Sequence, residues 1–157
     1  MAEKVLKNTK EKNTQYIYSV GRRKTAVARI RLYNVFVSGK VQILGNEYKK
    51  GDVVVNGKPI SEYFKFVGFA PEYNKILRLT DTSDKFVFSA KVAGGGLAGQ
   101  LDAIVHGIAR ALDKLDTEKY HNILKVNNFL TRDPRERERR KVGNAGKARR
   151  KKSSPKR

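Results

Sequence analysis

Apolar and polar side chains alternate along several short segments of the chain, and elsewhere apolar residues recur every three or four positions. The alternation, or a run of β-branched and aromatic residues, predicts strands at 15–21, 25–33, 53–55 and 85–93. The longer spacing predicts amphipathic helices at 97–115 and 118–126, and short helices are predicted at 61–64 and 71–77. We therefore expect a mixed α/β fold.

The strand predicted at 25–33 has two different faces. Arg29 and Arg31 alternate along it with aliphatic side chains, which gives one basic face and one apolar face. The apolar face is expected to pack on the core and the basic face to meet anions. In the strand at 85–93, every second residue from Phe86 onward is apolar, so one side of this strand is also expected to be buried.

Further core positions are predicted towards the end of the folded part. In the second amphipathic helix, Tyr120, Ile123 and Leu124 are expected to face inward. Phe129 and Leu130 are expected to be the last core contacts. Earlier in the chain, the turn residues Ser38-Gly39-Lys40 separate apolar runs at 35–37 and 41–44 and predict a hairpin there.

Length and charge suggest one domain with a cationic extension. The chain has 157 residues, and we expect a leader at 1–14, a globular domain at 15–130 and a tail at 131–157. Lys and Arg number 35 against 15 acidic residues, so the net charge is +20, and half of it lies in the tail. The tail has almost no apolar side chains and is expected to be disordered alone in water. Such an excess of charge favours a polyanionic partner, most commonly nucleic acid.

Several function classes are disfavoured. There is no cysteine, which excludes disulfides, thiolate zinc sites and cysteine nucleophiles. No stretch approaches the ~20 apolar residues of a spanning helix, so no membrane partner is expected. The spacing of His106 and His121 matches no metal motif, and neither a catalytic constellation nor a cofactor is indicated. His106 is interpreted as a packed, hydrogen-bonded residue, with RNA contact as the alternative.

Gly21 is followed by three cations, Arg22, Arg23 and Lys24, and then by Thr25. This segment lies between two predicted strands. We interpret this segment as a glycine turn whose side-chain and backbone donors bind phosphate. The alternative is a solvated, charged turn. The basic face of the next strand favours the first interpretation.

Gly94, Gly96 and Gly99 satisfy G-x-G-x-x-G between a strand and a helix. A dinucleotide site is rejected, because the acidic residue about 20 positions on should follow a second strand, whereas Asp113 and Asp116 lie at the end of the same helix. A Walker-type phosphate loop is rejected because no Lys follows the last glycine. Two interpretations remain: amides at the helix start bind an RNA phosphate, or the glycines serve only a tight turn and close packing.

Five motifs, in this order, resemble the bacterial and organellar small-subunit ribosomal protein nine family over most of the chain. They are Val20-Gly21-Arg22-Arg23-Lys24-Thr25-Ala26-Val27-Ala28-Arg29, Val55-Asn56-Gly57-Lys58-Pro59-Ile60-Ser61-Glu62-Tyr63-Phe64, Gly94-Gly95-Gly96-Leu97-Ala98-Gly99-Gln100, His106-Gly107-Ile108-Ala109-Arg110-Ala111-Leu112 and Leu130-Thr131-Arg132-Asp133. The closing Lys156-Arg157 also resembles the terminus of that family.

The resemblance implies a fold like the second domain of small-subunit ribosomal protein five, with a four-stranded sheet and packed helices. It implies a place in the head of the small subunit, on the 3′ domain of the ribosomal RNA and beside other head proteins, with the tail reaching transfer RNA in the P site. Together with the residue patterns above, it gives expected ribosomal RNA contacts at Arg22, Arg23, Lys24, Thr25, Arg29, Arg31, Gly94, Gly95, Gly96, Gln100, His106, Arg110, Arg132, Arg135, Arg139, Arg140, Lys141, Lys147, Arg149, Arg150, Lys151 and Lys152. Expected transfer RNA contacts are Lys156 and Arg157.

The chain departs from the family pattern in three places. The connection at 34–51 is longer, which suggests an extra hairpin. The helix reads Leu101-Asp102-Ala103-Ile104-Val105 where the family often has small residues and an Arg before the His, so one RNA contact near Val105 is expected to be missing. The tail lacks the aromatic residue that usually precedes the terminal Ser-Lys-Arg.

The resulting expectation is a non-enzymatic, monomeric structural constituent of the small ribosomal subunit in the bacterial cytoplasm, or alternatively in a plastid or mitochondrion. Two rival functions stay open. One is a free RNA chaperone or nucleoid-type nucleic-acid-binding protein, which the composition alone would allow. The other is an enzyme that binds a nucleotide at the glycine loop.

Overall fold

The protein is described here by a computed structural model, which covers residues 16–34, 40–43 and 45–150. The expected leader at 1–14, the apolar run at 35–37, Ser38, Gly39 and the last seven residues lie outside the described part. Within these described residues, seven strands and four α-helices follow one another. They are β1 (Tyr16–Arg23), β2 (Ala26–Tyr33), β3 (Lys40–Ile43), β4 (Asn46–Lys49), β5 (Val53–Val55), β6 (Lys58–Pro59), α1 (Ile60–Tyr63), α2 (Ala70–Leu79), β7 (Val87–Ala93), α3 (Leu97–Leu115) and α4 (Thr117–Val126).

Five of the strands form one sheet in the order β1-β2-β7-β5-β6. All neighbours are antiparallel except β5 and β7, which are parallel. The mixed α/β class is therefore confirmed. The expected count of four strands is exceeded by β6, a two-residue strand that pairs with β5 through the Asn56-Gly57 turn. Both turn residues have positive φ, which Asn and Gly adopt at low cost.

Helix α3 covers one face of the sheet, as its apolar stripe requires. Leu101, Ile104, Ile108 and Leu112 are fully buried against the alternating inward residues of β2, of which Ile30 is also fully buried. The strand prediction at 85–93 is confirmed on the same face, since the alternating apolar residues Phe86, Phe88, Ala90 and Val92 are all buried. The result is a two-layer arrangement with helices on one side of the sheet.

The turn between β1 and β2 is shorter than the sequence suggested. Gly21, Arg22 and Arg23 belong to β1, and only Lys24 and Thr25 form the turn. Gly21 is needed for a different reason: the backbone of α3 passes directly over it, at Ala103 and Gly107, and leaves no room for a side chain. The predicted glycine turn at position 21 is therefore wrong.

The helix predictions are confirmed in position and corrected at one side chain, Ile123 of α4. Helix α3 spans the predicted residues, and the other helices differ from their predictions by a few positions at their ends. Tyr120 and Leu124 of α4 are buried, but Ile123 is 39 % exposed. Leu97 is exposed because it lies in the first turn of α3, beyond the sheet. Phe129 and Leu130 pack against the core, as expected.

Strands β3 and β4 form a separate antiparallel pair. Its turn follows Ile43, and Lys40 is the first residue of β3 and not part of a turn, so the predicted turn position is wrong at Lys40. Val41 and Ile43 pack on Tyr33 and Val87, which places the pair over one end of the sheet on the side away from α3.

The described part of the tail, residues 131–150, contains no helix or strand. It is held locally by a turn in which the Lys141 N–H donates to the Lys147 carbonyl, and by Glu138, whose carboxylate accepts from Arg149 Nε at 2.9 Å. These contacts are highly exposed and are expected to contribute little to stability. Disorder of the tail in free solution stays a prediction.

Candidate nucleic-acid interface

The face of the sheet that lies opposite α3 is basic. Because side chains alternate along a strand, Arg22 of β1, Arg29 and Arg31 of β2, and Lys91 of β7 all lie on this outer face, and all four are exposed. Among the outward residues of β1, β2 and β7 there is no acidic side chain. The predicted basic face is thus present, and Lys91 extends it.

Arg29 and Lys91 are directly opposite each other on β2 and β7. Like charges in this cross-strand relationship repel one another and oppose folding. Neither side chain has a hydrogen-bond or ion-pair partner within the described residues. The protein therefore keeps two unneutralised cations side by side at the centre of an open sheet face.

Two aromatic rings border these cations. Tyr16 and Tyr18 of β1 are 47 % and 45 % exposed on the same outer face. The Arg31 guanidinium lies 5.0 Å from the centre of the Tyr16 ring, a cation–π arrangement. The face therefore offers both charges for phosphates and flat surfaces on which bases could stack.

Arg23 is separated from Arg22 by the same alternation and lies on the helix side of the sheet. Its guanidinium pairs with Asp102 and Asp133 and donates to backbone carbonyls in the tail. The side chain is only 14 % exposed. Arg22 and Arg23 therefore lie on opposite faces of the sheet, and RNA contact by either of them stays a prediction.

One side of α3 follows the free edge of β1. At successive turns of the helix, His106 Nδ1 accepts from the Arg22 N–H at 3.4 Å, Arg110 donates to the Val20 carbonyl at 2.7 Å, and Lys114 donates to the Tyr18 carbonyl at 3.0 Å. Alternate backbone groups of an edge strand point away from the sheet and need such partners. His106 and Arg110 are thus occupied in structural contacts, and the packed interpretation of His106 is supported.

The protonation of His106 agrees with this contact. Burial, and after it the charge of Arg110, lowers the pKa of His106 below its ordinary value of 6.5. A neutral ring can accept at Nδ1, whereas the protonated ring cannot. The hydrogen bond from Arg22 is therefore available at neutral pH.

The glycine loop before α3 packs closely on the β1–β2 turn. A Cβ on Gly94 would lie 2.5 Å from the Thr25 carbonyl oxygen, and one on Gly95 would lie 3.0 Å from the Ala26 Cβ. Gln100 supports the loop, donating to the Gly94 carbonyl and accepting from the Tyr63 hydroxyl. Close packing is thus one established purpose of these glycines.

Lys24 and Thr25 face the start of α3 across a hollow of about 290 Å³ that Gly95 and Gly96 also line. No side chain caps the helix at Gly96, and the first N–H groups of a helix have no partner within it. Binding of an anion there stays a prediction. In the described part of the chain no strand follows α3, so the position that a dinucleotide-binding acid would need is not formed.

The tail presents most of the remaining predicted contacts to solvent. Exposed cations are Arg132, Arg135, Arg139, Arg140, Lys141, Lys147, Arg149 and Arg150. Arg135 is nevertheless paired, because it hydrogen-bonds Asp133 through two nitrogens and holds the pKa of that carboxyl well below its ordinary value of 3.8. Lys151, Lys152, Lys156 and Arg157 lie outside the described residues.

Three relevant residues were not identified from the sequence. Lys91 is at an outward position of a strand whose inward side was recognised, so the alternation contained the signal. Asp102 and Lys114 act on β1 and on the tail from α3, and their partners are far away in sequence. Spacing along the chain carries no signal for such contacts.

The described residues contain neither a metal-binding cluster nor a membrane-spanning helix. No cluster of three or more possible metal-ligating side chains is found in that part of the chain. Within the same residues, none of the helices combines the length and the apolar character needed to cross a membrane.

Fold and surface together define a small mixed α/β protein with one cationic sheet face and a cationic C-terminal extension. The family described as ribosomal protein S9/S16 matches residues 21–157. The chain is similar to proteins named small ribosomal subunit protein uS9. It is 48 % identical to that of Dehalococcoides mccartyi over 85 % of this chain and 89 % of the relative. It is 42 % identical to that of Maridesulfovibrio salexigens over 82 % of this chain and 88 % of the relative. The uS9 protein of Lawsonia intracellularis is 40 % identical over 83 % of this chain and 89 % of the relative. The chain belongs to the ribosomal protein S9/S16 family.

Proposed function

We propose that this protein is a structural constituent of the small ribosomal subunit in the cytoplasm of a bacterium, without catalytic activity. Family membership and the uS9 relatives in bacteria support this role. In this proposal the outer sheet face and the tail bind ribosomal RNA in the head of the subunit, beside other head proteins. The terminal Lys156 and Arg157 reach transfer RNA in the P site.

The RNA-binding part of this proposal rests on one observation: Arg29 and Lys91 lie directly opposite each other on neighbouring strands. Two opposed cations destabilise a free sheet, and no carboxylate of the three strands compensates for them on that face. A phosphate backbone placed over the sheet would neutralise both charges and release condensed counterions. Tyr18, which lies opposite Arg31 on the same face, could stack on an unpaired base.

The glycine loop and the turn residues Lys24 and Thr25 would provide a second contact at the edge of this face. Arg110 and His106 would contribute mainly by keeping β1 in place, because their polar groups are used within the fold. The tail would add the largest number of cations and would become ordered on RNA as it binds.

The test is binding of the purified protein to a transcript of the 3′ domain of small-subunit ribosomal RNA at several salt concentrations. The double variant Arg29→Gln/Lys91→Gln should bind more weakly, and its log–log salt slope should fall by roughly 1 to 2 units. Arg78→Gln is the matched control, since Arg78 is exposed on α2 in the helix layer, away from the outer face. If the double variant retains the parental affinity and slope, the outer face is not an RNA-binding surface.

Two further measurements separate the ribosomal role from a free RNA chaperone. An integral constituent should stay with small subunits through a high-salt wash, whereas a free chaperone should be removed. Subunits that carry the protein without Lys156 and Arg157 should assemble normally but release P-site transfer RNA faster. Unchanged transfer RNA affinity and dissociation rate would exclude the terminal contact.

A further inference from the structure

We propose that Arg23 is a positioning residue that fastens the start of the tail to the body of the protein and thereby sets the direction in which the tail leaves. This role goes beyond the proposed RNA-binding function. It also replaces the expectation, taken from the sequence, that Arg23 is itself a phosphate ligand.

The contacts of Arg23 carry the inference. Nε lies 3.2 Å from Asp102 of α3, and one terminal nitrogen lies 3.1 Å from the carboxylate of Asp133. The other terminal nitrogen donates to the Arg135 carbonyl at 2.6 Å and to the Asp133 carbonyl at 3.4 Å. The planar guanidinium therefore joins strand, helix and tail at one point, which a Lys side chain could not do.

In this arrangement a phosphate that binds Arg23 bidentately must displace a partner that Arg23 already has. All three of its nitrogens are engaged within the protein, and the side chain is only 14 % exposed. A buried charge that loses its partners is costly, so the present arrangement favours keeping them. Its neighbour Arg22, on the opposite face, is exposed and is free of ion pairs among the described residues.

The position of the contact along the chain explains what it can control. Phe129 and Leu130 are the last apolar residues packed on the core, and Asp133 is still half-buried. Every residue from Arg135 to Gly143 is exposed. Within the described part of the tail, the Arg23 contacts are thus the last hydrogen bonds and ion pairs between the tail and the rest of the protein. The cations that follow in the sequence extend from this point.

Asp102 holds the guanidinium from the helix side. Its carboxylate accepts from Arg23 Nε at 3.2 Å. The tail is therefore fastened through two carboxylates and two carbonyls.

A pair of spin labels tests the proposal on the full chain. The protein has no cysteine, so Glu118→Cys on α4 and Glu136→Cys in the tail, both exposed, give one labelled pair. The free protein should show a narrow distance distribution that Arg23→Gln abolishes and Arg23→Lys only partly restores. Arg22→Gln is the matched control and should keep the narrow distribution, and circular dichroism should show an unchanged fold in all variants.

A broad distribution in the parent, or a narrow one in Arg23→Gln, would overturn the proposal. A second readout separates positioning from direct RNA contact: Arg22→Gln should lower the log–log salt slope by about 0.7 to 0.9, whereas Arg23→Gln should leave it unchanged. An equal loss of slope in both variants would make Arg23 a phosphate ligand. Failure of RNA binding as such would leave the distance measurement, and hence this inference, unaffected.

Discussion

Gly21 of β1 and Gly107 of α3 meet backbone to backbone. A Cβ on Gly21 would lie 2.8 Å from the Gly107 Cα, and one on Gly107 would lie 2.5 Å from Cγ1 of Ile30. Next to this crossing, the Ser19 hydroxyl donates to the Gly107 carbonyl at 2.7 Å. The closest approach of helix and sheet therefore depends on two residues without side chains.

Gly21→Ala should destabilise the free protein by about 1 to 3 kcal/mol, because the added methyl group must push α3 away from the sheet. Urea denaturation followed by circular dichroism measures the change. Gly99→Ala serves as the control: its Cβ would have ordinary contacts of 3.7 and 3.9 Å inside a helix, so stability should be unchanged or slightly higher. Equal stability of Gly21→Ala and the parent would contradict the close crossing.

Arg29→Gln should have the opposite effect on the free protein. Removing one of two opposed cations relieves repulsion with Lys91, and the free energy of unfolding should rise by roughly 0.2 to 1 kcal/mol at low salt. The gain should shrink at high salt, where exposed charges are screened. A variant that is less stable than the parent at low salt would show that the Arg29 side chain contributes packing that outweighs the repulsion.

His106→Asn should alter how stability depends on pH. Because burial lowers the pKa of His106 below 6.5, the unfolded chain takes up a proton more readily, and the parent should lose stability as the pH falls below about 6.5. Above that pH the contribution is fully present and constant. Denaturation curves between about pH 5 and about pH 8 should show this slope in the parent and a smaller slope in the variant. If stability depends on pH in the same way in the parent and in the variant, His106 has the same pKa in the folded and unfolded states.

Deletion of residues 139–157 removes 10 cations and no acid. The log–log salt slope of RNA binding should therefore fall by several units, since each phosphate contact contributes about 0.7 to 0.9. Thermal unfolding of the folded part should change little, because the described residues of this segment lie outside the core. A slope equal to that of the full chain would show that the tail does not neutralise RNA phosphates.

The fold could be predicted from the sequence wherever one periodicity dominates. The stripe of Leu101, Ile104, Ile108 and Leu112 located α3 correctly, and alternation located β2 and β7. The turn at Gly21 was misplaced because a glycine before three cations suggests a turn, whereas the true cause is a helix that comes close only in the folded chain. A crossing between residues 86 positions apart leaves no local pattern.

The candidate site could be predicted only in part, because some of its contacts also join residues that are far apart in the sequence. Alternation alone indicated the basic face of β2, but the division of Arg22 and Arg23 between two faces required the correct end of β1. The pairing of Arg23 with Asp102 and Asp133 joins three distant segments, so it could be found only in the structure.

The contacts along the outer edge of β1 also protect the sheet from pairing with another chain. A second copy that tried to extend the sheet would have to displace Arg110 and Lys114 from the carbonyls of Val20 and Tyr18. At the opposite edge, β6 has two residues, and one of them, Pro59, has no N–H to donate. Both edges of the sheet are thus poor templates for aggregation, although the chain carries many more cations than acidic residues and no disulfide to hold it together.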